Sequence, residues 1–178
     1  VAKVLFLNGV GWGHINPTLG LIKELVDRGE EIIYCAHPRV APLVEQPGVQ
    51  FVPFPDHYFD YFIDFDIEEE KKLMPMEWSL MAVKWLKSAL ETVAQLDQHQ
   101  RFDYLIGDLH DGFGYEVEQL LKLPHITSVT QFASCEKAMP IEPPSTLDLV
   151  KSFFTEPVRS IKCLGSRFTI ARKYRINL

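Results

Sequence analysis

Short apolar runs along the chain alternate with longer segments in which apolar residues recur every three or four positions. Five runs have the length and composition of strands buried on both faces, at residues 4–7, 32–35, 50–53, 104–108 and 126–129. Helical patterns lie between them, including a long one that presents apolar residues between Trp78 and Leu96 on one face. Alternating strands and helices predict an α/β fold, a Rossmann-like parallel β-sheet with helices on both faces and right-handed crossovers, in one domain.

The first helix has boundary signals of its own. Asn16 is followed by Pro17, which predicts an N-cap and a first helical residue. Gly29 follows the last apolar position of the pattern and predicts the C-terminal end. A second short helix is predicted over residues 40–45, and a third over 112–121 with Phe113 facing inward. Residues 54–75 and 130–145 are predicted to be irregular.

Composition supports one globular domain with a substantial core, since 47% of the 178 residues are hydrophobic. No apolar run approaches the roughly 20 residues of a membrane helix, so no stable membrane insertion is expected. The N-terminal run lacks the features of a signal peptide. Three widely spaced cysteines indicate reduced thiols, and these features together predict a cytoplasmic protein.

Charge is distributed unevenly along the chain. Residues 151–178 hold seven Lys/Arg and one acid, Glu156, for a charge of about +6, so the remainder has 11 basic and 23 acidic residues, or −12. An acidic body argues against a nucleic-acid partner. We therefore expect a Rossmann-like domain over residues 1–150. The basic segment 151–178 either completes it, lying on the acidic body, or leads to an absent neighbouring domain.

Ligands of parallel α/β sheets bind outside the carboxyl ends of the strands. This rule selects four segments: residues 9–14, 36–38, 108–111 and 130–134. The first has glycines at positions 9, 11 and 13, followed by His14. A dinucleotide fingerprint would need a glycine at position 14 and an acid at the end of the second strand, and both are missing. A P-loop and a Gly-x-Ser-x-Gly elbow are also absent from the sequence.

His14 is the first candidate for chemistry. The N-terminal end of the following helix disfavours a protonated imidazole, as suits a general base. Such a base needs a carboxylate to orient it and to stabilise the imidazolium. Asp108 ends the fourth strand on the same rim, whereas Asp103 begins that strand and belongs to the opposite rim. Gly107 would leave room for an imidazole to approach, and Asp111 is more simply explained as a helix N-cap.

Two stretches resemble one enzyme family. "NGVGWGHINPTLGLIKELVDRGEEIIYC" is similar to the opening of UDP-dependent glycosyltransferases of the GT-B fold, especially the bacterial macrolide-type group. The shared features are Gly13-His14, Pro17 and Arg28-Gly29, with Glu30 in place of a common histidine. "FDYLIGDLHDGFGYEVEQLLKLPHITSV" resembles a later segment of the same domain. The resemblance spans most of residues 3–135.

This resemblance implies the N-terminal, acceptor-binding half of an inverting glycosyltransferase. His14 would be the catalytic base and Asp108 its partner, and a sugar would pass from a UDP-sugar to a hydroxyl of a small, mostly apolar acceptor. No metal and no further cofactor are implied. The donor nucleotide would bind mainly to a C-terminal domain that has no counterpart in these residues, with Gly11 and Gly13 allowing its close approach.

The acceptor pocket is expected to be apolar and to rim the same edge of the sheet. Aromatic side chains suit flat acceptors. The predicted substrate-binding residues are Trp12, Gly13, Phe59, Trp78, Phe113 and Phe132.

Two other functions are consistent with the same residues. One is a different GT-B-like enzyme of nucleotide sugars, such as an epimerase, which needs no acceptor hydroxyl. The other is a module that binds an apolar small molecule without catalysis.

Overall fold

The structure is a computed structural model that describes residues 1–9, 11–54, 75–109, 113–130 and 146–178. Its strands are β1 (Lys3–Leu7), β2 (Glu31–Ala36), β3 (Val49–Pro53), β4 (Tyr104–Asp108) and β5 (His125–Ser128). Its helices are α1 (Trp12–Asp27), α2 (Ala41–Val44), α3 (Pro75–His99), α4 (Gly114–Leu121), α5 (Thr146–Thr155) and α6 (Pro157–Tyr174), with a 3₁₀ turn at Pro38–Val40. All five predicted strands are present, each within one residue of its expected ends.

The strands form one parallel sheet in the order β3-β2-β1-β4-β5. The α/β prediction is therefore confirmed. Leu7 of β1 is level with Cys35 of β2 and with Gly107 of β4, while Asp108 is level with Ser128 of β5. The carboxyl ends of β1, β4 and β5 thus share one edge, and β1 and β4 are direct neighbours there.

Side chains alternate between two cores along β1. Val4 and Phe6 face the layer that contains α1 and α2, and Phe6 stacks on Tyr34 with ring centroids 4.9 Å apart. Leu5 and Leu7 face the layer that contains α3, α4 and α6. Both faces of the strand are buried, as its continuous apolar run predicts.

The predicted start of the first helix is wrong. α1 begins at Trp12 with Gly11 as N-cap, so Pro17 lies inside the helix and His14 lies in its first turn. The carbonyl of Gly11 accepts bonds from the N–H groups of His14 and Ile15, at 2.9 and 3.1 Å. Ile15 is fully buried in the core under β1. Burial of this side chain fixes the turn, which outweighs the local capping signal of exposed Asn16.

The predicted end of α1 is confirmed. Gly29 has φ +88°, a left-handed conformation that glycine adopts without strain. Its N–H donates to the carbonyl of Val26 and the N–H of Glu30 donates to that of Leu25, which together form a Schellman motif.

Other boundaries differ from expectation. The N-cap of α4 is Phe113 rather than the predicted Asp111, which lies outside the described residues. In α3 the predicted face is confirmed in part, since Ala89 and Val93 are buried in the core and Trp85 and Leu96 pack against it. The buried stripe also includes Val83, Leu86 and Leu90, which the pattern had not placed on that face. The irregular segments predicted at 54–75 and 130–145 fall almost wholly outside the described residues.

The basic segment 151–178 begins inside α5, includes all of α6 and ends with residues 175–178, so residue 150 lies within α5. α6 packs along α3, with Cys163 and Ile170 buried in the shared core. Nζ of Lys173 lies 3.1 Å from a carboxylate oxygen of Glu91 on α3. Within the described ranges, no helix combines the length and the apolar character that crossing a membrane requires.

Candidate active site

Three side chains from three strand ends meet at the carboxyl edge of the sheet. His14 follows β1, Asp108 is the last residue of β4, and Thr130 comes two residues after β5. Nδ1 of His14 lies 3.0 Å from Oδ1 of Asp108. Oγ1 of Thr130 lies 2.8 Å from the same nitrogen and 2.7 Å from Oδ2 of Asp108. The adjacency of β1 and β4 brings together residues 94 positions apart.

With Asp108 ionised, the hydrogen bonds favour one tautomer of His14. An ionised carboxylate only accepts, so the hydroxyl of Thr130 donates its single proton to Asp108. The proton on Nδ1 of His14 is then donated to Oδ1 of Asp108. Nε2 consequently carries the lone pair, which is the state that a general base requires.

Burial differs sharply between the two members of the pair. The side chain of Asp108 is 0% exposed, whereas that of His14 is 23% exposed. The carboxylate therefore lies beneath the imidazole, and the imidazole reaches the surface of the sheet edge. A buried carboxylate that accepts two hydrogen bonds can orient the ring and stabilise the imidazolium that forms when Nε2 takes a proton.

Two further residues hold His14 in place. A Cβ atom at Gly11 would lie 2.9 Å from Cδ2 of the imidazole, closer than real Cβ contacts, so a larger residue here would force the ring to move. Asn8 is fully buried, and its side-chain amide donates to the carbonyl of His14 at 3.3 Å and to the hydroxyl of Tyr34 at 2.9 Å. Gly11 thus leaves the space that the ring occupies, and Asn8 ties the backbone of His14 to the sheet.

The predicted pocket residues fall in different environments. Trp12 is 51% exposed in the first turn of α1, two positions from His14. A Cβ atom at Gly13 would meet nothing within 4 Å, so open space lies beside it. Phe113 is only 4% exposed and packs edge-on against Phe54, with ring centroids 6.4 Å apart. Phe59, Phe132 and the side chain of Trp78 lie outside the described part of the structure.

Gly107 does leave room for an imidazole, as expected, but the imidazole is that of His125 and not that of His14. A Cβ atom at Gly107 would lie 3.1 Å from Nε2 of His125, not against His14. His125 fills the space left by Gly107 and Gly114, where a Cβ would lie 2.4 Å from the ring, and its Nδ1 is 3.2 Å from a carboxylate oxygen of Glu118. These glycines therefore let α4 approach β4 closely.

Thr130 and Asn8 are the site residues that sequence reasoning missed. The strand-end rule did select residues 130–134, but nothing in the sequence distinguishes Thr130 from its neighbours there. Asn8 follows the apolar run of β1 directly, and an amide at the end of a buried strand was the available signal. Among the described residues, no three His, Cys, Asp or Glu side chains are grouped so as to hold a metal ion.

No protein-family model matches this chain, whereas individual proteins do. UDP-glucosyltransferase YojK of Bacillus subtilis (strain 168) is 31% identical over 140 residues, which are 77% of this chain and 34% of that protein. NDP-glycosyltransferase YjiC of the same organism is 25% identical over 136 residues, which are 75% of this chain and 33% of that protein. The chain thus spans about a third of the length of these relatives.

Solved structures agree in fold. The calicheamicin glycosyltransferase CalG4 superposes with a TM-score of 0.68 at 21% identity, over 98% of this chain and 43% of that one. The glycosyltransferase of kitacinnamycin gives a TM-score of 0.70 at 17% identity, over 97% and 40%. The family resemblance of the two sequence stretches is confirmed: the chain belongs to the UDP-dependent glycosyltransferases of the GT-B fold and corresponds to the N-terminal part of such a protein.

Proposed function

We propose that this chain is the acceptor-binding part of an inverting glycosyltransferase, with His14 as the general base. The observation that carries the proposal is the set of hydrogen bonds among His14, Asp108 and Thr130, at 2.7–3.0 Å. They orient a histidine whose side chain is 23% exposed, at the sheet edge where this fold class binds ligands.

In the proposed reaction, Nε2 of His14 removes the proton from an acceptor hydroxyl. The oxygen attacks the anomeric carbon of a UDP-sugar from the face opposite the diphosphate. A new C–O bond forms, the bond between that carbon and the phosphate oxygen breaks, and UDP leaves with the bonding pair. Configuration therefore inverts. The imidazolium is stabilised by Asp108 and passes its proton to water when products leave.

The size of the effect follows from general-base catalysis. A positioned base typically accelerates a reaction by about 10²–10⁴. Asp108 adds to this by fixing the tautomer, and Thr130 by holding the carboxylate. Because the pair is already assembled by the sheet, little reorganisation is needed when the acceptor binds.

We further propose that the acceptor is a small, mostly apolar molecule with a hydroxyl. Trp12 offers a half-exposed aromatic surface next to His14, and Gly13 leaves open space beside it. One relative named for such an acceptor supports this class: a sterol 3-beta-glucosyltransferase of Saccharomyces cerevisiae (strain YJM789) is 23% identical over 130 residues. Flat apolar molecules stack well on indole.

The donor site is proposed to lie largely in further sequence. The chain spans about a third of its relatives, which are named for UDP or NDP sugars. Gly11 and Gly13 are proposed to let the donor approach the base, with UDP-sugar as the co-substrate.

The test is transfer from UDP-glucose to a phenolic acceptor by the full-length protein that carries this chain. His14→Ala is expected to lower kcat by about 10²-fold or more while acceptor affinity changes little, because only the base is lost. Asp108→Asn is expected to lower kcat substantially as well, since an amide can hold the wrong tautomer. Near-normal transfer in His14→Ala would refute the assignment of the base.

The two alternative functions predict different results in these experiments. A non-catalytic binding module predicts acceptor binding without transfer and no effect of His14→Ala on its role. An epimerase-type enzyme predicts a changed nucleotide sugar in the absence of any acceptor, which product analysis detects.

A further inference from the structure

We propose that the groove between α3 and α6 binds an organic phosphate, a dianionic head attached to an apolar body. The groove has a volume of about 790 Å³. Its lining includes neither His14, Asp108 nor Thr130, so it is separate from the candidate active site. The inference does not depend on the proposed function.

The groove is positively charged in an acidic protein. Lys84 and Lys87 line it from α3, and Lys162 and Lys173 line it from α6, against a single carboxylate, Glu91. Lys173 lies 3.1 Å from Glu91, so its charge is matched. Lys87 and Lys162 then give the groove an excess of about +2, whereas the whole chain carries −6. Like charges along one concavity create a local positive potential that attracts anions.

The rest of the lining suits the other parts of such a ligand. Val83 and Ile170 are buried apolar residues in the lining of the groove. The hydroxyl-bearing residues Ser166 and Thr169 line its α6 side. Lysine ammonium groups and hydroxyls are donors for phosphate oxygens, and three acceptor oxygens can use several donors at once.

Ser88 gives an independent indication. It lines the groove, is 4% exposed, and its hydroxyl makes no hydrogen bond to the part of the chain that the structure describes. A buried hydroxyl without a partner is unfavourable unless something uses it. We infer that a bound phosphate accepts its hydrogen bond after a small shift of the serine side chain.

The experiment titrates the 178-residue chain with phenyl phosphate and follows backbone amide signals by NMR. Saturable shifts are expected around Ser88 and Thr169. The double variant Lys87→Gln/Lys162→Gln should weaken binding at least about tenfold, since two of the cations are removed. Lys23→Gln removes an exposed lysine of α1 and serves as the matched control, with affinity unchanged. Equal weakening by this control would overturn the site.

Other probes test the chemistry. Inorganic phosphate and neutral phenyl glucoside should each bind at least about tenfold more weakly than phenyl phosphate, because each lacks one half of the ligand. Equal binding of either, or of benzoate, would overturn the assignment to an organic phosphate. Ser88→Ala should weaken binding about threefold without lowering thermal stability, since it removes a hydroxyl that has no hydrogen-bond partner among the described residues. Unchanged affinity would remove Ser88 from the site.

These outcomes are independent of sugar transfer. Binding in the groove with no transferase activity would leave the inference intact and refute the proposed function. Sugar transfer without saturable binding of phenyl phosphate would support the proposed function and refute the phosphate site in the groove.

Discussion

Replacing Gly11 with alanine tests the arrangement of the base most directly. The backbone of Gly11 has φ −73° and ψ 124°, which alanine adopts without strain. The added Cβ would nevertheless lie 2.9 Å from Cδ2 of His14, whereas ordinary contacts begin at 3.4 Å. The imidazole must therefore move by about 0.5 Å, because the new Cβ is attached directly to the backbone of residue 11 and cannot turn away.

This displacement is large for the hydrogen bonds of His14. Its Nδ1 is 3.0 Å from Asp108 and 2.8 Å from Thr130. Because Nδ1 lies across the ring from Cδ2, a shift of about 0.5 Å away from the new Cβ pushes Nδ1 toward both partners. Both distances would fall below the usual lower limit of about 2.7 Å unless the ring turns, and either change distorts the hydrogen bonds. Since a misplacement of about 1 Å can cost 10²-fold in rate, we expect kcat for transfer to fall by about 10- to 100-fold.

The assay compares steady-state transfer by the full-length protein with NMR of the His14 ring nitrogens, which reports the tautomer. Folding is checked by urea unfolding, since alanine is a poorer N-cap than glycine and is expected to cost up to about 1 kcal/mol. Gly20→Ala is the matched control, because a Cβ at exposed Gly20 of the same helix meets nothing within 4 Å. The reasoning is refuted if Gly11→Ala keeps kcat within twofold of wild type and leaves the ring signals unchanged.

Three further predictions concern the site and the fold. Thr130→Val removes a hydrogen-bond donor to the buried carboxylate of Asp108, so it should lower kcat about tenfold and move the pH profile of kcat. Thr130→Ser keeps the hydroxyl and should retain the kcat and the pH profile of the wild type. Equal activity of the two variants would contradict this prediction. Gly48→Ala should lower the free energy of unfolding by about 1–3 kcal/mol, because φ of Gly48 is +89° and the new Cβ would lie 2.8 Å from the side chain of Val26. Urea unfolding measures this change, and the control variant Gly20→Ala should be neutral or stabilising in the same assay. Burial raises the pKa of the Cys35 thiol from 9.0 to about 12, so the folded state keeps its proton where the unfolded state loses it. Stability should therefore fall as pH rises above 9, by about 1 kcal/mol from this group at pH 10, and a Cys35→Ala chain with the same slope would contradict the assignment.

The sequence alone determined most of the sheet. Continuous apolar runs fix where strands lie, since a strand covered on both faces needs apolar side chains at every position. Because parallel strands place all carboxyl ends at one edge, the pairing of His14 with Asp108 could be predicted from their positions relative to two strands. The end of α1 at Gly29 could be predicted as well, since it depends only on a backbone conformation that glycine adopts readily.

Only the tertiary structure decided the start of α1, the contribution of Thr130 and the identity of the imidazole beside Gly107. Local capping signals favoured Asn16, but burial of Ile15 against the sheet began the helix at Trp12. Thr130 belongs to the site because β5 lies beside β4. Neither a threonine at this position nor the residues next to it in the sequence predict that contact. A local pattern records the preferences of nearby residues, whereas these contacts depend on which distant segments the packed sheet brings within hydrogen-bond distance.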